Sequence, residues 1–315
     1  MRLVTDGDIA AAAARIEPYV LRTPLLDSER LSGELGCRVL VKAENLQHTG
    51  SFKPRGACNA LLSWREQGDL PERVVSFSAG NHAAAVAFAG RKLGVTVTVS
   101  MPESAHPSKV DNVRRYGGEI VPTDDLMGTC EKLAREYDCP ALYPFDLSEV
   151  MAGQGTIGRE ICADLLPGVE PDVVLVPVGG GGLVGGIATA VKAAAPGCRV
   201  VGVEPALSNA VEQALAAGEV VRLPRGTPTI ADGLAAPFAG ERTLAQVQRY
   251  VDDVVSVDEQ DIAAAWPDMV TATKLLLEPS AVVGLAALRA GAVTVPTDGT
   301  VVLVASGGNA APPPD

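Results

Sequence analysis

A lysine does covalent chemistry when its amine is desolvated, because only the unprotonated nitrogen is a nucleophile. Lys53 has a suggestive setting. It falls in Thr49-Gly50-Ser51-Phe52-Lys53-Pro54-Arg55-Gly56-Ala57, after a glycine turn, beside an aromatic residue and at the head of a helical pattern. Taken alone, a single lysine is far more often a solvated surface charge. A second candidate is Pro177-Val178-Gly179-Gly180-Gly181-Gly182-Leu183, between a strand pattern and a helix pattern. Consecutive glycines let backbone amides converge, and a helix N-terminus adds partial positive charge, so a phosphate fits there. A merely tight strand–helix turn would look the same. Ser78-Ala79-Gly80-Asn81-His82 also follows a strand and opens a helix, where amides suit a carboxylate. Ser306-Gly307-Gly308-Asn309 closes the last strand pattern and, by itself, reads as an ordinary turn.

The glycine run carries a competing reading. Gly180, Gly182 and Gly185 satisfy the spacing of a dinucleotide fingerprint, and Glu204 ends the next strand 24 residues after Gly180. A nicotinamide-dependent oxidoreductase fits that spacing, with Glu204 on a ribose. The fingerprint is weak alone, so the glycines leave both cofactors open.

The elements that would position these residues alternate along the chain. Strand patterns lie at 39–42, 74–77, 95–99, 119–121, 173–178, 199–203 and 300–305. Helical stretches lie at 56–66, 82–93, 108–116, 155–165, 183–195 and 262–277. Strands apolar throughout, separated by helices, predict an α/β fold with a parallel sheet covered on both faces. The stretch 173–191 has no charge for 19 residues, near membrane-spanning length. Its six glycines and Pro177 instead favour a strand, a loop and a helix.

Composition narrows the classes. The 315 residues carry 26 Lys+Arg against 38 Asp+Glu, a net charge of −12 that argues against nucleic acid. Six scattered cysteines form no C-x-x-C pair, and three histidines lie far apart, so neither a disulfide scaffold nor a zinc site is expected. Met1–Glu17 lacks a signal-peptide layout, and a cytoplasmic protein is expected. The 33 glycines, about 10% against the usual ~7%, show no collagen period and fit several glycine loops. The tail 310–315 is expected to be disordered.

The Lys53 segment, with Glu44-Asn45-Leu46-Gln47 before it, resembles the lysine motif of the fold-type II, tryptophan synthase β-like, pyridoxal-phosphate enzymes. Ser78–His82, Ala152-Gly153-Gln154-Gly155-Thr156-Ile157, the glycine run, Lys274-Leu275-Leu276-Leu277-Glu278-Pro279-Ser280 and Ser306–Asn309 follow in that family's order. Asn81 with His82 beyond it is the form of the threonine dehydratase and serine racemase branch. The resemblance implies two three-layer α/β domains with mainly parallel sheets and the cofactor in the cleft between them. The large domain would be 1–72 plus 147–309, and the small mobile domain 73–146. It also implies that Lys53 holds pyridoxal 5′-phosphate and that Gly179, Gly180, Gly181 and Gly182 hold its phosphate. Phe52 and Asn81 would position the ring, and Ser306 would face the pyridine nitrogen. Ser78, Ala79, Gly80, Asn81 and His82 would form the substrate-carboxylate loop. A homodimer is usual in the family.

Several reactions remain within such a family. A neutral hydroxyl at the ring nitrogen makes a weaker electron sink than a carboxylate partner would, and this favours elimination. Serine racemases carry a serine acid/base where this chain has Ala79, which has no proton to give. The family's cation site needs two carboxylates and a carbonyl. Glu204 and Ser208 match, but the third place is Ala210, so no metal is expected and Glu204 is more simply a strand-end cap. Ala84 stands where many dehydratases have glutamine, and 122–129 lacks an arginine that serine racemases use. The expected reaction is dehydrative deamination of L-threonine or L-serine, with Lys53 as the Cα base and the β-hydroxyl protonated from the cofactor phosphate. Racemisation and elimination from another 3-hydroxy amino acid, such as 3-hydroxyaspartate, stay open.

Overall fold

In a computed structural model of the chain, residues 1–78, 80–165, 169–224 and 228–310 are described. Ala79 and all but the first residue of the 310–315 tail therefore lie outside the described residues. Nine strands form two sheets. They are β1 (Leu25–Asp27), β2 (Arg38–Ala43), β3 (Arg73–Phe77), β4 (Thr96–Met101), β5 (Glu119–Pro122), β6 (Val173–Pro177), β7 (Arg199–Pro205), β8 (Asp253–Val257) and β9 (Thr300–Ala305). The larger sheet has the order β1-β2-β9-β6-β7-β8, and the smaller β3-β4-β5. Every pairing is parallel except β1 with β2. The chain thus folds as two α/β domains.

The period of two explains how the large sheet is covered. Val39, Val41, Val173, Leu175, Val201, Val203, Val301 and Leu303 enter one core, with Ile262 and Met269 of helix Glu259–Thr273 and Leu285 of helix Val283–Arg289. The alternate residues Leu40, Val174, Val176, Val200, Val302 and Val304 enter the other, under helices Ser148–Asp164 and Gly182–Ala194. Both faces are buried, which is why these strands read as continuous apolar runs. On the small sheet, Val74, Val97, Val99 and Met101 pack on helices Asn81–Leu93 and Pro54–Gln67. Val75 faces Cys130 and Leu133 on the other side.

The structure departs from the sequence expectations at definite places. The helix expected at 155–165 starts earlier, at Ser148, so the segment 152–157 lies inside Ser148–Asp164. Its small residues permit close approach to Gly182–Ala194 rather than breaking the helix. The helix expected at 262–277 stops at Thr273, because Lys274 turns left-handed (φ 60°). Residues 275–277 then run on without helix, held where Trp266 Nε1 donates to the Leu277 carbonyl at 2.7 Å. β1 and β8 were not foreseen. No helix among the described residues is long and apolar enough to cross a membrane.

Candidate active site

Lys53 is fixed by its neighbours on both sides. Phe52 N donates to the Ser306 carbonyl at 3.1 Å and Ser51 bridges Gly307, tying this stretch to the end of β9. Pro54 then opens helix Pro54–Gln67, where its missing N–H costs nothing and its fixed φ suits the first turn. Beneath that turn, Arg55 is fully buried and bonds Glu44 at 2.8 Å and Glu160 at 2.7 Å. The Glu160 carboxylate also takes Lys42 Nζ at 2.7 Å. Such a network is costly to break, because each ion would lose its partner out of water.

The Lys53 amine lies in a cavity of about 680 Å³, donating to the Pro144 carbonyl at 3.3 Å and lying 4.9 Å from the Phe52 ring centre. Desolvation lowers its pKa to about 8, against the opposing pull of the Glu278 carboxylate. At pH 7.5 that leaves roughly a quarter of the amine unprotonated, where an ordinary lysine leaves about a thousandth.

The other candidates line the same cavity. Gly179–Gly182 join β6 to helix Gly182–Ala194, with Gly181 at φ 85°, a value that favours glycine. The Phe145 ring lies directly on Gly180, where a Cβ has no room. Ser306, at the end of β9, is 3% exposed and lines the cavity. Asn81 is clamped: its Nδ2 donates to Glu278 Oε1 at 2.8 Å, and its Oδ1 accepts from Asn309 Nδ2 at 2.9 Å. Ser78 and Gly80 also face the cavity, with Gly80 N donating to Ser78 Oγ at 3.0 Å. His82 is 2% exposed, and its Nε2 lies 3.1 Å from the Leu142 carbonyl. Burial first, then the Lys53 charge, drives its pKa down to about 3, so the ring is neutral.

Glu204 has another place. Its carboxylate accepts from Val211 N at 3.1 Å and Glu212 N at 2.8 Å, so it caps the start of helix Ala210–Ala217 across a short 3-10 turn. Burial raises its pKa to about 8. Capping a helix, rather than merely ending a strand, is what its position serves. Its oxygens are committed to amides, which leaves the ribose reading without support.

Glu278, the pair Phe145 and Asp146, and the pair Lys109 and Asp232 were not singled out from sequence. Glu278 is 3% exposed, and burial followed by the Asp232 charge raises its pKa to about 7. A glutamate inside an apolar run before proline was the available signal. Phe145 reaches Gly180 from the loop before helix Ser148–Asp164, and Asp146 Oδ1 beside it accepts from Arg242 N at 2.7 Å and Thr243 N at 3.1 Å. Lys109, on helix Pro107–Arg115, pairs with Asp232 at the cavity mouth. Nothing local in sequence marks a pair 123 residues apart.

An unusually acidic lysine amine opposite a glycine cup, in a cleft between two α/β domains, is what an enzyme needs to keep an aldehyde-bearing anionic cofactor. This is the arrangement of the fold-type II enzymes. The chain belongs to the family described as pyridoxal-phosphate dependent enzyme, whose model matches residues 16–307. It is 43% identical over 307 residues to the L-threonine ammonia-lyase of Geobacter sulfurreducens, covering 96% of this chain and 74% of that one. It is 37% identical to the L-threo-3-hydroxyaspartate ammonia-lyase of Saccharomyces cerevisiae, covering 91% and 87%. Its structure is similar to that of maize serine racemase, with a TM-score of 0.91, 34% identity and coverage of 98% and 95%.

Proposed function

We propose that this chain is a pyridoxal-phosphate-dependent lyase. It removes water and ammonia from L-threonine or L-serine to give 2-oxobutyrate or pyruvate. The observation that carries the reading is the Lys53 amine, sunk in the cavity with a pKa of about 8. The residues present fit the cofactor. The amine is of the kind that meets an aldehyde, the four glycines carry no side chain of their own over their amides at a helix start, and Ser306 sets a neutral hydroxyl at the sheet end. When bound, pyridoxal phosphate supplies the electron sink that acidifies the substrate Cα–H and lets the β-substituent depart.

The chain's own groups do the rest. The amides of Gly179–Gly182 hold the phosphate, and the helix N-terminus adds its dipole. Asn81, fixed by Glu278 and Asn309, sets the ring edge, with Phe52 beside it. Ser78, Ala79, Gly80 and the start of helix Asn81–Leu93 take the substrate carboxylate. Lys53 Nζ removes the Cα proton as general base. We assign the small mobile domain to 73–146 and the large one to 1–72 plus 147–309. The Lys109–Asp232 pair joins them at the cavity mouth, where closure excludes water. A homodimeric, cytoplasmic enzyme acting on small amino acids completes the reading.

Racemisation is the second reading, favoured by the likeness to serine racemase and opposed by Ala79, which has no proton for the far face. The test is 2-oxo acid release from L-threonine, L-serine and L-threo-3-hydroxyaspartate, run beside chiral analysis of residual substrate. Fast 2-oxo acid release from L-threonine or L-serine with little D-isomer is expected. D-serine formed as fast as pyruvate would reverse the ranking, and release from hydroxyaspartate alone would move the substrate.

A further inference from the structure

The reading above uses only the backbone at His82 and leaves its imidazole without a role. A carbonyl oxygen only accepts, so the contact with Leu142 puts the ring proton on Nε2 and leaves a bare lone pair on Nδ1. Nδ1 is buried and has no hydrogen-bond partner among the described residues. Buried acceptors are nearly always paired, so an unpaired one beside a reactive group asks for a donor. Leu142 and Pro144, two residues apart on one segment, hold His82 and Lys53 respectively, and both side chains line the cavity.

We propose that His82 is a positioning residue for Lys53, its Nδ1 accepting an N–H of the Lys53 amine while that amine works as the base. This rests on the proposed role of Lys53. In the transfer the substrate C–H bond breaks, an N–H bond forms on Nζ, and the electron pair stays with the substrate. Nζ then carries a full positive charge away from bulk water. The Pro144 carbonyl already accepts from this amine, His82 Nδ1 is an acceptor with no other partner among the described residues, and the Glu278 carboxylate is the facing charge. A ring that stays neutral at working pH can accept without competing for the proton.

The chain has three histidines, so 15N-histidine labelling gives few ring resonances. In the holoenzyme loaded with L-alanine, which lacks a β-leaving group, the His82 Nδ1 resonance is expected to move toward the hydrogen-bonded value. His82→Phe should lower kcat with L-serine or L-threonine about tenfold or more while KM stays within about threefold. His82→Gln keeps a donor for Leu142 and an oxygen acceptor, and should recover most of kcat. An Nδ1 resonance unmoved by L-alanine, or a folded His82→Phe enzyme with unchanged kcat, overturns the proposal. Absence of any cofactor adduct on Lys53 in the wild-type protein would instead remove the lyase reading itself.

Discussion

Replacing Gly186 by alanine tests how closely the two glycine-bearing helices must approach. Gly186 lies inside helix Gly182–Ala194, whose first residue closes the glycine cup. An added Cβ would stand 2.8 Å from Gly155 N and 3.1 Å from Gly155 Cα, and would also strike the Met151 carbonyl. All three obstacles are backbone of helix Ser148–Asp164, so no side chain can swing aside. Ordinary contact begins near 3.4 Å, so the helices must part by about half an ångström or more. Overpacking of this kind costs about 1–3 kcal/mol, partly offset by the ~1 kcal/mol that alanine gains over glycine in a helix. A net loss of up to about 2 kcal/mol is expected, measured by urea unfolding of the cofactor-free protein. Because the same helix carries Gly182, weaker pyridoxal-phosphate binding should accompany it, read by absorbance titration. Gly33, in helix Glu29–Leu35, is the internal control: a Cβ there meets nothing within 4 Å. Gly33→Ala should stabilise by about 0.5–1 kcal/mol. If Gly186→Ala proves as stable as Gly33→Ala, the close-approach argument fails.

Two further outcomes concern charge. Arg55→Met leaves Glu44 and part of the Glu160 pairing uncompensated and out of water, so urea unfolding should show a loss of about 3–5 kcal/mol. A loss under 1 kcal/mol would mean that the ion cluster is not what anchors the turn after Lys53. Lys53→Met should stabilise the cofactor-free protein at pH 7. The folded-state pKa of Lys53 is depressed to about 8 from 10.5, so folding is penalised below pH 8 and recovers as pH rises toward 10.5. The gain, on the order of 3 kcal/mol at most, should shrink over that window, and a gain independent of pH would refute desolvation of the amine as its cause.

How much of this was legible in the sequence depended on whether a signal was local. The strand 300–305 was read with its observed bounds, because a buried parallel strand is apolar at every position. β1 is three residues long, and β8 is a half-buried edge flanked by acids, so neither makes a run. The helix read at 155–165 was placed too late in the chain, and its small residues Gly155 and Gly158 answer to the backbone of the neighbouring helix at Gly186 and Ile187, which no local pattern reveals. Lys53, Asn81, Gly179–Gly182 and Ser306 could be named because their short strings resemble a known family's motifs and follow in its order, whereas taken one at a time the lysine and the Ser306 turn read as ordinary. That they line one cavity follows from the crossing of β9 between β2 and β6, which brings Ser306 beside Lys53 and the glycine turn, and from the bonds of Asn81 to Glu278 and Asn309. The depressed lysine, the raised Glu278 and the neutral His82 are consequences of burial, and burial is a property of the assembled cleft.

Borohydride reduction of the purified holoenzyme, followed by peptide mass mapping, bears most directly on the central claim. The account predicts a pyridoxyl mass on the peptide that contains Lys53, with loss of the cofactor's visible absorption. An adduct on another lysine, or none at all, would contradict it.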